Sequence, residues 1–336
     1  MHRLLRAARY LPSGISGGRR VAGPDEDRFT LLASALERVV RPADRRAHGV
    51  SVSVIGDFPA TQEWALAAVV GSAPRISSGS DAAPPPELSA DDRIVVMARG
   101  PLATAPPGSE DAAAGDASVA LLYRSLPEQD EPEFDGLVPP APATERGALA
   151  LNRQLADRAE IEWIGDWTSA QSTGWARDVE RDAAFRDIPA GGVSEGAYIP
   201  RPRYLESLGS RWRFEGDRCG HCSHVTFPAR GVCRSCGRSD GLASEFLPRD
   251  DVEVIATTTI GAGGQPTEFD RQVESFGPYE VVLAELAPGI RVTLPVTDVP
   301  PGSIRIGDRV DTRLRRLYPM DGEWRYGRKA VPRPPG

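Results

Sequence analysis

The sequence predicts an α/β layered first half followed by a metal-binding ribbon and a small five-stranded β-barrel. Three observations lead there. Strand-like and helix-like patterns alternate up to about residue 190, which is the signature of α/β layers. Two Cys-x-x-Cys pairs stand ten residues apart, at Cys219, Cys222, Cys233 and Cys236. Five β-rich runs then follow at short intervals, separated by Gly, Pro and Asp turns.

In the first half, residues 25–40 read as a helix. Phe29, Leu32, Leu36 and Val39 fall on one face, and Asp25, Glu26 and Asp27 crowd the start, where carboxylates favour the positive end of the helix dipole. Residues 50–55 alternate as a strand, 60–70 read as a helix, and 93–98 and 118–123 read as strands. The stretches 72–92 and 126–146 are rich in Ser, Pro and Ala and read as loops, while residues 147–158 suit a helix and 160–164 a strand. The opening residues, with His2, read as an unordered start. Three units follow from the change in character: 1–190 as an α/β domain, 195–245 as a helix plus ribbon, and 246–333 as the barrel.

The cysteines are the sharpest signal. A Cys-x-x-Cys turn places two thiolates on one side of a knuckle, and two facing knuckles supply the four sulfurs of a tetrahedral site. Zinc is expected there; a rubredoxin-type iron centre is the alternative within metals. Gly237, directly after the second pair, suits a knuckle position of positive φ. His221 and His224 are expected at the surface. All four cysteines of the chain lie within 18 residues, a clustering that suits metal in a reducing cytoplasm better than disulfides. A closed shell of four thiolates has no position for substrate, so the zinc is expected to be structural and no catalytic residue is assigned.

Composition narrows the function classes. The chain has 336 residues, 40% of them hydrophobic and 26% charged, with a net charge of −7. No apolar run reaches the ~18 residues of a membrane span, and no secretion signal is read, so a cytoplasmic protein is expected. Of 40 basic residues 39 are Arg, and Lys329 is the single Lys. Residues 195–336 carry 20 basic and 19 acidic side chains, without the basic excess that nucleic-acid binding demands. The five runs 252–260, 279–286, 290–296, 309–317 and 323–330 suit a barrel of the OB type. Gly261, Gly263 and Gly264 lack dinucleotide-loop spacing and read as a barrel loop with no helix after it. Trp163, Trp167 and Trp175 read as core or interface residues.

From Arg203 to Gly237 the chain resembles the zinc-ribbon and OB-fold proteins that accompany thiolases and related acyl-CoA enzymes. The resemblance rests on Phe227-Pro228-Ala229-Arg230, on Thr257, Thr258 and Thr259, on Phe276-Gly277-Pro278-Tyr279, and on Ile306-Gly307-Asp308-Arg309-Val310. It covers about 195–333. It implies a non-catalytic subunit docking on a thiolase-fold enzyme, with Pro278 and Tyr279 as ligand or partner contacts. Arg313 and Arg315 are candidates for a CoA phosphate, with CoA or acyl-CoA as a bound ligand.

The first half resembles part of a hydroxymethylglutaryl-CoA synthase or related thiolase-superfamily enzyme. Tyr10-Leu11-Pro12, residues 23–30, the strands at 93–98 and 115–122, and the segment from Glu162 to Arg186 carry that likeness. Such enzymes need a Cys nucleophile and a His. Outside the ribbon this chain has no Cys, and only His2 and His48. The resemblance therefore implies a degenerate, pseudoenzyme half partnered with a thiolase or hydroxymethylglutaryl-CoA synthase-like enzyme. Two other classes compete: a module binding single-stranded nucleic acid, and an enzyme of unrecognised chemistry.

Overall fold

The computed structural model describes residues 2–10, 14–16, 19–21, 25–41, 50–55, 63–71, 75–79, 93–101, 116–125, 162–167, 177–178, 199–320 and 323–333. The chain divides into two compact units, residues 1–22 with 26–168, and residues 23–25 with 169–336. The sequence-expected helix at 147–158, His48 and Trp175 lie outside the described residues.

In the first unit, β1 (His2–Tyr10), a short hairpin of β2 (Gly14–Ser16) and β3 (Arg19–Val21), and α1 (Arg28–Val39) come first. Then follow β4 (Val50–Ile55), α2 (Glu63–Val70), β5 (Arg75–Gly79), β6 (Arg93–Pro101), β7 (Asp116–Ser125) and β8 (Glu162–Trp167). Six strands form a mixed sheet in the order β5-β4-β6-β7-β1-β8. β4 runs parallel to β5 and β6; β7 is antiparallel to both β6 and β1; β8 is parallel to β1. α1 lies against β1, β6 and β7 and touches α2.

Helix α1 starts where a capping box permits. The Asp27 carboxylate accepts the Thr30 amide at 2.9 Å, and the Thr30 hydroxyl accepts the Asp27 amide at 2.8 Å. The predicted face Phe29, Leu32, Leu36 and Val39 is fully buried, but so are Leu31, Ala33 and Ala35, so burial extends well beyond one stripe. In β4, Val50, Val52 and Val54 are all buried, as the period of two requires.

Two stretches read as irregular are strands. His2–Tyr10 is an inner strand, and its register slips between Leu4 and Arg6, which breaks the alternation that would have revealed it. Arg75–Gly79 is an edge strand beside β4; its polar RISSG sequence carries no hydrophobic alternation, so its ladder to β4 comes from the sheet rather than from propensity.

The second unit opens, among described elements, with the two-residue β9 (Arg177–Asp178), then α3 (Arg201–Glu206) and α4 (Leu208–Arg213). The ribbon is a three-stranded antiparallel sheet, β11-β10-β12, made of β10 (Glu215–Cys219), β11 (Val225–Thr226) and β12 (Leu242–Phe246). Next are β13 (Val252–Ile260), a 3₁₀ turn (Thr267–Phe269), α5 (Asp270–Phe276), β14 (Tyr279–Ala287), β15 (Ile290–Pro295), β16 (Arg309–Met320) and β17 (Glu323–Pro332). A helix does follow the Gly261–Gly264 loop: α5 is short, and its only buried apolar side chain is Val273, too little for a periodic signal.

The last five strands pair antiparallel in the order β15-β14-β13-β16-β17. The two edges meet through a parallel bridge between Val296 and Ala330, with the Thr297 amide 2.9 Å from the Ala330 carbonyl. The barrel so formed encloses a core that includes Val254, Val282, Leu294, Val310 and Ala330. Each fully buried Val or Leu side chain of this core contributes about 1.5–3 kcal/mol.

Helices α3 and α4 seat on β17 through aromatics. Trp212 Nε1 donates to the Tyr326 carbonyl at 3.0 Å and the Tyr204 hydroxyl donates to the same oxygen at 2.9 Å. The Tyr326 amide donates back to the Tyr204 hydroxyl at 2.9 Å, and the Trp212 ring meets both tyrosine rings edge-on. Burial pushes the Tyr204 phenol well above its ordinary value.

Candidate metal centre and the barrel motifs

Strand β10 ends on Cys219, so the first knuckle is the turn that leaves the ribbon sheet. The Ser223 amide donates to the Cys219 carbonyl at 2.9 Å, and the Gly237 amide donates to the Cys233 carbonyl at 2.9 Å. The two knuckles are thus built alike. In each, the residue after the second cysteine is left-handed: Gly237 at φ 74°, as the sequence led us to expect, and Ser223 at φ 60°. The ten-residue gap is bridged by β11, whose Thr226 is buried, and by a loop in which Asp217 accepts the amides of Arg230 and Gly231. Phe227–Pro228 in that gap is a cis peptide.

The four sulfurs converge. All lie within 4.8 Å of one another, with Cys219–Cys236 at 3.7 Å and Cys222–Cys233 at 3.6 Å. A tetrahedron with Zn–S bonds of ~2.3 Å has S···S edges of about 3.8 Å, so donor set and spacing both fit zinc. Cys219 and Cys233 are buried; Cys222 and Cys236 are exposed. Backbone amides of Cys222 and His221 lower the Cys219 pKa, and those of Cys236 and Ser235 bring Cys233 down to about 7. The first cysteine of each knuckle is thus drawn toward the thiolate that a metal requires, whereas at Cys236 the lowering by the Arg238 amide is outweighed by burial and the three neighbouring cysteines, which push it up to about 11. His221 and His224 are exposed, and His221 Nε2 lies 3.1 Å from Asp240, turned to a carboxylate rather than to the sulfurs.

The barrel motifs converge on one buried carboxylate. Glu280 follows the Phe276-Gly277-Pro278-Tyr279 motif and is 2% exposed. It accepts the Thr257 hydroxyl at 2.7 Å and the amides of Gly302 at 3.0 Å and Ile304 at 3.5 Å. The Thr-rich strand, the strand entry and the loop ahead of Ile306-Gly307-Asp308 are tied together at this point. That loop is further fixed on β13, where Gly307 and Asp308 exchange backbone bonds with Val254 at 2.8 and 2.9 Å.

The candidate contact residues occupy different environments. Pro278 is exposed, whereas Tyr279 is buried, with the Phe269 ring tilted against it at 5.6 Å between centroids. Arg313 is buried against Asp250 and Asp311, the latter at 3.1 Å. Arg315 is fully buried, 3.2 Å from Asp298 and 3.7 Å from Asp25. These arginines lie on a strand buried on both faces, not on a solvated stripe. Asp25 itself is not a helix-dipole carboxylate: the capping belongs to Asp27, and Asp25 is built into the second unit. Sequence reasoning did not single out Glu280, because a lone carboxylate carries no spacing signal, and it read Asp25 only as part of the acidic run at the helix start.

Residues 210–242 match the family described as ChsH2, rubredoxin-like zinc ribbon domain. A DUF35 domain-containing scaffold protein of Methanothermobacter thermautotrophicus is 32% identical over 133 residues, which cover 39% of this chain and 95% of the relative. This chain belongs to the DUF35 family. The DUF35 scaffold protein of Pyrococcus furiosus is also 32% identical, over 132 residues and 90% of its length. Among solved structures, the Ltp2-ChsH2(DUF35) aldolase aligns over 40% of this chain and 98% of its own at 20% identity, with a TM-score of 0.29. The four cysteines are the zinc-ribbon site of this family. Among the described residues no helix is long and apolar enough to cross a membrane.

Proposed function

We propose that this DUF35 protein is a non-catalytic accessory subunit that organises a thiolase-fold enzyme handling acyl-CoA substrates. The observation that carries the reading is the convergence of all four thiols of the chain on one closed site. No thiol is left to carry an acyl group, and a four-thiolate shell has no open position for a reacting ligand. The relatives named scaffold proteins support the same role. In this reading the zinc is structural, the barrel is of the OB type, and the first unit is a degenerate thiolase-like half kept for its packing surface. A thiolase or hydroxymethylglutaryl-CoA synthase-like enzyme is the partner, and exposed Pro278 is a contact residue. CoA or an acyl-CoA is handled within the complex.

Affinity purification of the full chain from its source, followed by mass spectrometry, tests this. A thiolase-fold enzyme is expected at near-equal abundance, together with one zinc per chain. Recovery of the chain alone, with turnover of acetoacetyl-CoA by the isolated protein, would overturn the proposal.

A further inference from the structure

The chain writes 39 of its 40 basic residues as Arg, yet the one Lys sits at a buried position. Lys329 is 3% exposed on β17, and its Nζ lies 2.9 Å from Asp25 Oδ2, across 304 positions of sequence. The Thr297 hydroxyl donates to that same oxygen at 2.8 Å. Arg315 Nε faces the other oxygen, Oδ1, at 3.7 Å, while Arg315 Nη2 holds Asp298 at 3.2 Å. The Asp25 carbonyl also accepts the Arg316 amide at 2.9 Å, so the backbone at residue 25 is fastened to β16 as well.

The choice of Lys has a geometric reason. One carboxylate oxygen receives two donors, and the other faces Arg315. A compact ammonium on an unbranched stem can share Oδ2 with a hydroxyl. A planar guanidinium favours both oxygens of a carboxylate at once. In a chain whose composition runs so strongly to Arg, Lys at this position is therefore informative.

We propose that Lys329, Arg315 and Thr297 form a carboxylate seat on the barrel, that Asp25 is its occupant, and that the Asp25–Lys329 pair acts as a latch. The latch makes the second unit discontinuous: residue 25 completes a barrel whose strands begin at Val252. It also shields the only lysine amine of the chain. Asp25 faces both Arg315 and Lys329, so removing it takes a carboxylate away from two buried cations, a cost that is relieved by opening.

The single lysine makes the latch measurable. The zinc-loaded full chain is treated with an amine-acetylating reagent, and modification of Lys329 is followed by peptide mass spectrometry, with the urea-unfolded chain as the upper limit. Lys329 in the native chain is expected to react about a hundredfold more slowly than in the unfolded chain. Asp25→Ala is expected to raise its rate about tenfold or more while zinc content and far-UV circular dichroism stay unchanged. Where Asp25→Ala fails to fold, Asp25→Asn decides, since it keeps the side-chain shape and removes only the charge. A native Lys329 that reacts as fast as the unfolded one overturns the proposal, and so does an Asp25→Asn rate equal to that of the native protein.

Discussion

The ribbon and the barrel are neighbours in sequence and are held together by opposite means. In the ribbon, few side chains between residues 219 and 246 are buried: Cys219, Thr226 and Cys233. So small a sheet has no apolar core of its own, and in the proposed reading a structural zinc on its four cysteines supplies the cohesion that burial cannot. The barrel buries so much that its core strands carry charges inward, with Asp311, Arg313, Arg315, Arg316, Arg325, Arg328 and Lys329 all under a tenth exposed. On that reading one polypeptide unit joins a part whose stability is conditional on a ligand to a part that holds through its own burial.

Removing the metal should break that comparison most visibly. Zinc contributes about 10–16 kcal/mol of apparent binding energy to small ribbon-like domains. Cys219→Ser, or exhaustive chelation, is expected to abolish amide-exchange protection in 215–246 while β13 to β17 keep theirs. Hydrogen exchange read by mass spectrometry checks this. Simultaneous loss in both segments would mean that ribbon and barrel unfold as one.

Trp212 is where the two means meet, and its removal is the next largest effect. Its indole is fully buried, donates to the Tyr326 carbonyl and packs edge-on against Tyr204 and Tyr326, while Arg328 reaches the Trp212 carbonyl and lies over the Phe214 ring. Trp212→Ala is expected to destabilise the barrel by about 3–5 kcal/mol with zinc content unchanged. Denaturant melts and metal analysis on the same sample measure both. Loss of zinc in parallel would show that the ribbon leans on the barrel more than its exposure suggests.

The legibility of the chain follows the same division. The double Cys-x-x-Cys names its own site because metal ligation fixes both residue type and spacing, and the structure brings those four sulfurs together. The five barrel strands were readable because each is bounded by Gly, Pro or Asp and carries β-branched or aromatic residues. His2–Tyr10 and Arg75–Gly79 were not, since a bulge hides the period in one and the other has a single large apolar residue, Ile76. The ion-pair role of Asp25, which reads from sequence as a helix-start carboxylate, was hidden for a different reason. Its partners are 272 and 304 positions away, and no local pattern encodes a long-range ion pair. Lys329 left the one available trace, a compositional exception that acquires meaning only beside the carboxylate it meets.

The smallest effect sharpens the comparison inside the ribbon itself. The two knuckles share a backbone path, but the left-handed position is Gly237 in one and Ser223 in the other. A side chain in that conformation costs roughly 1–2 kcal/mol, which Gly avoids at the expense of a more flexible unfolded chain. Ser223 is exposed, and its backbone bonds, the amide to the Cys219 carbonyl and the carbonyl to Arg218, survive substitution. Ser223→Gly is therefore expected to stabilise the ribbon by about 0.5–1 kcal/mol, seen as slower zinc release to a chromogenic chelator with the barrel's denaturant midpoint unmoved. Faster release would mean that the serine side chain contributes more to the knuckle than its conformation costs, and that the two halves of the site are alike in path but not in energetics.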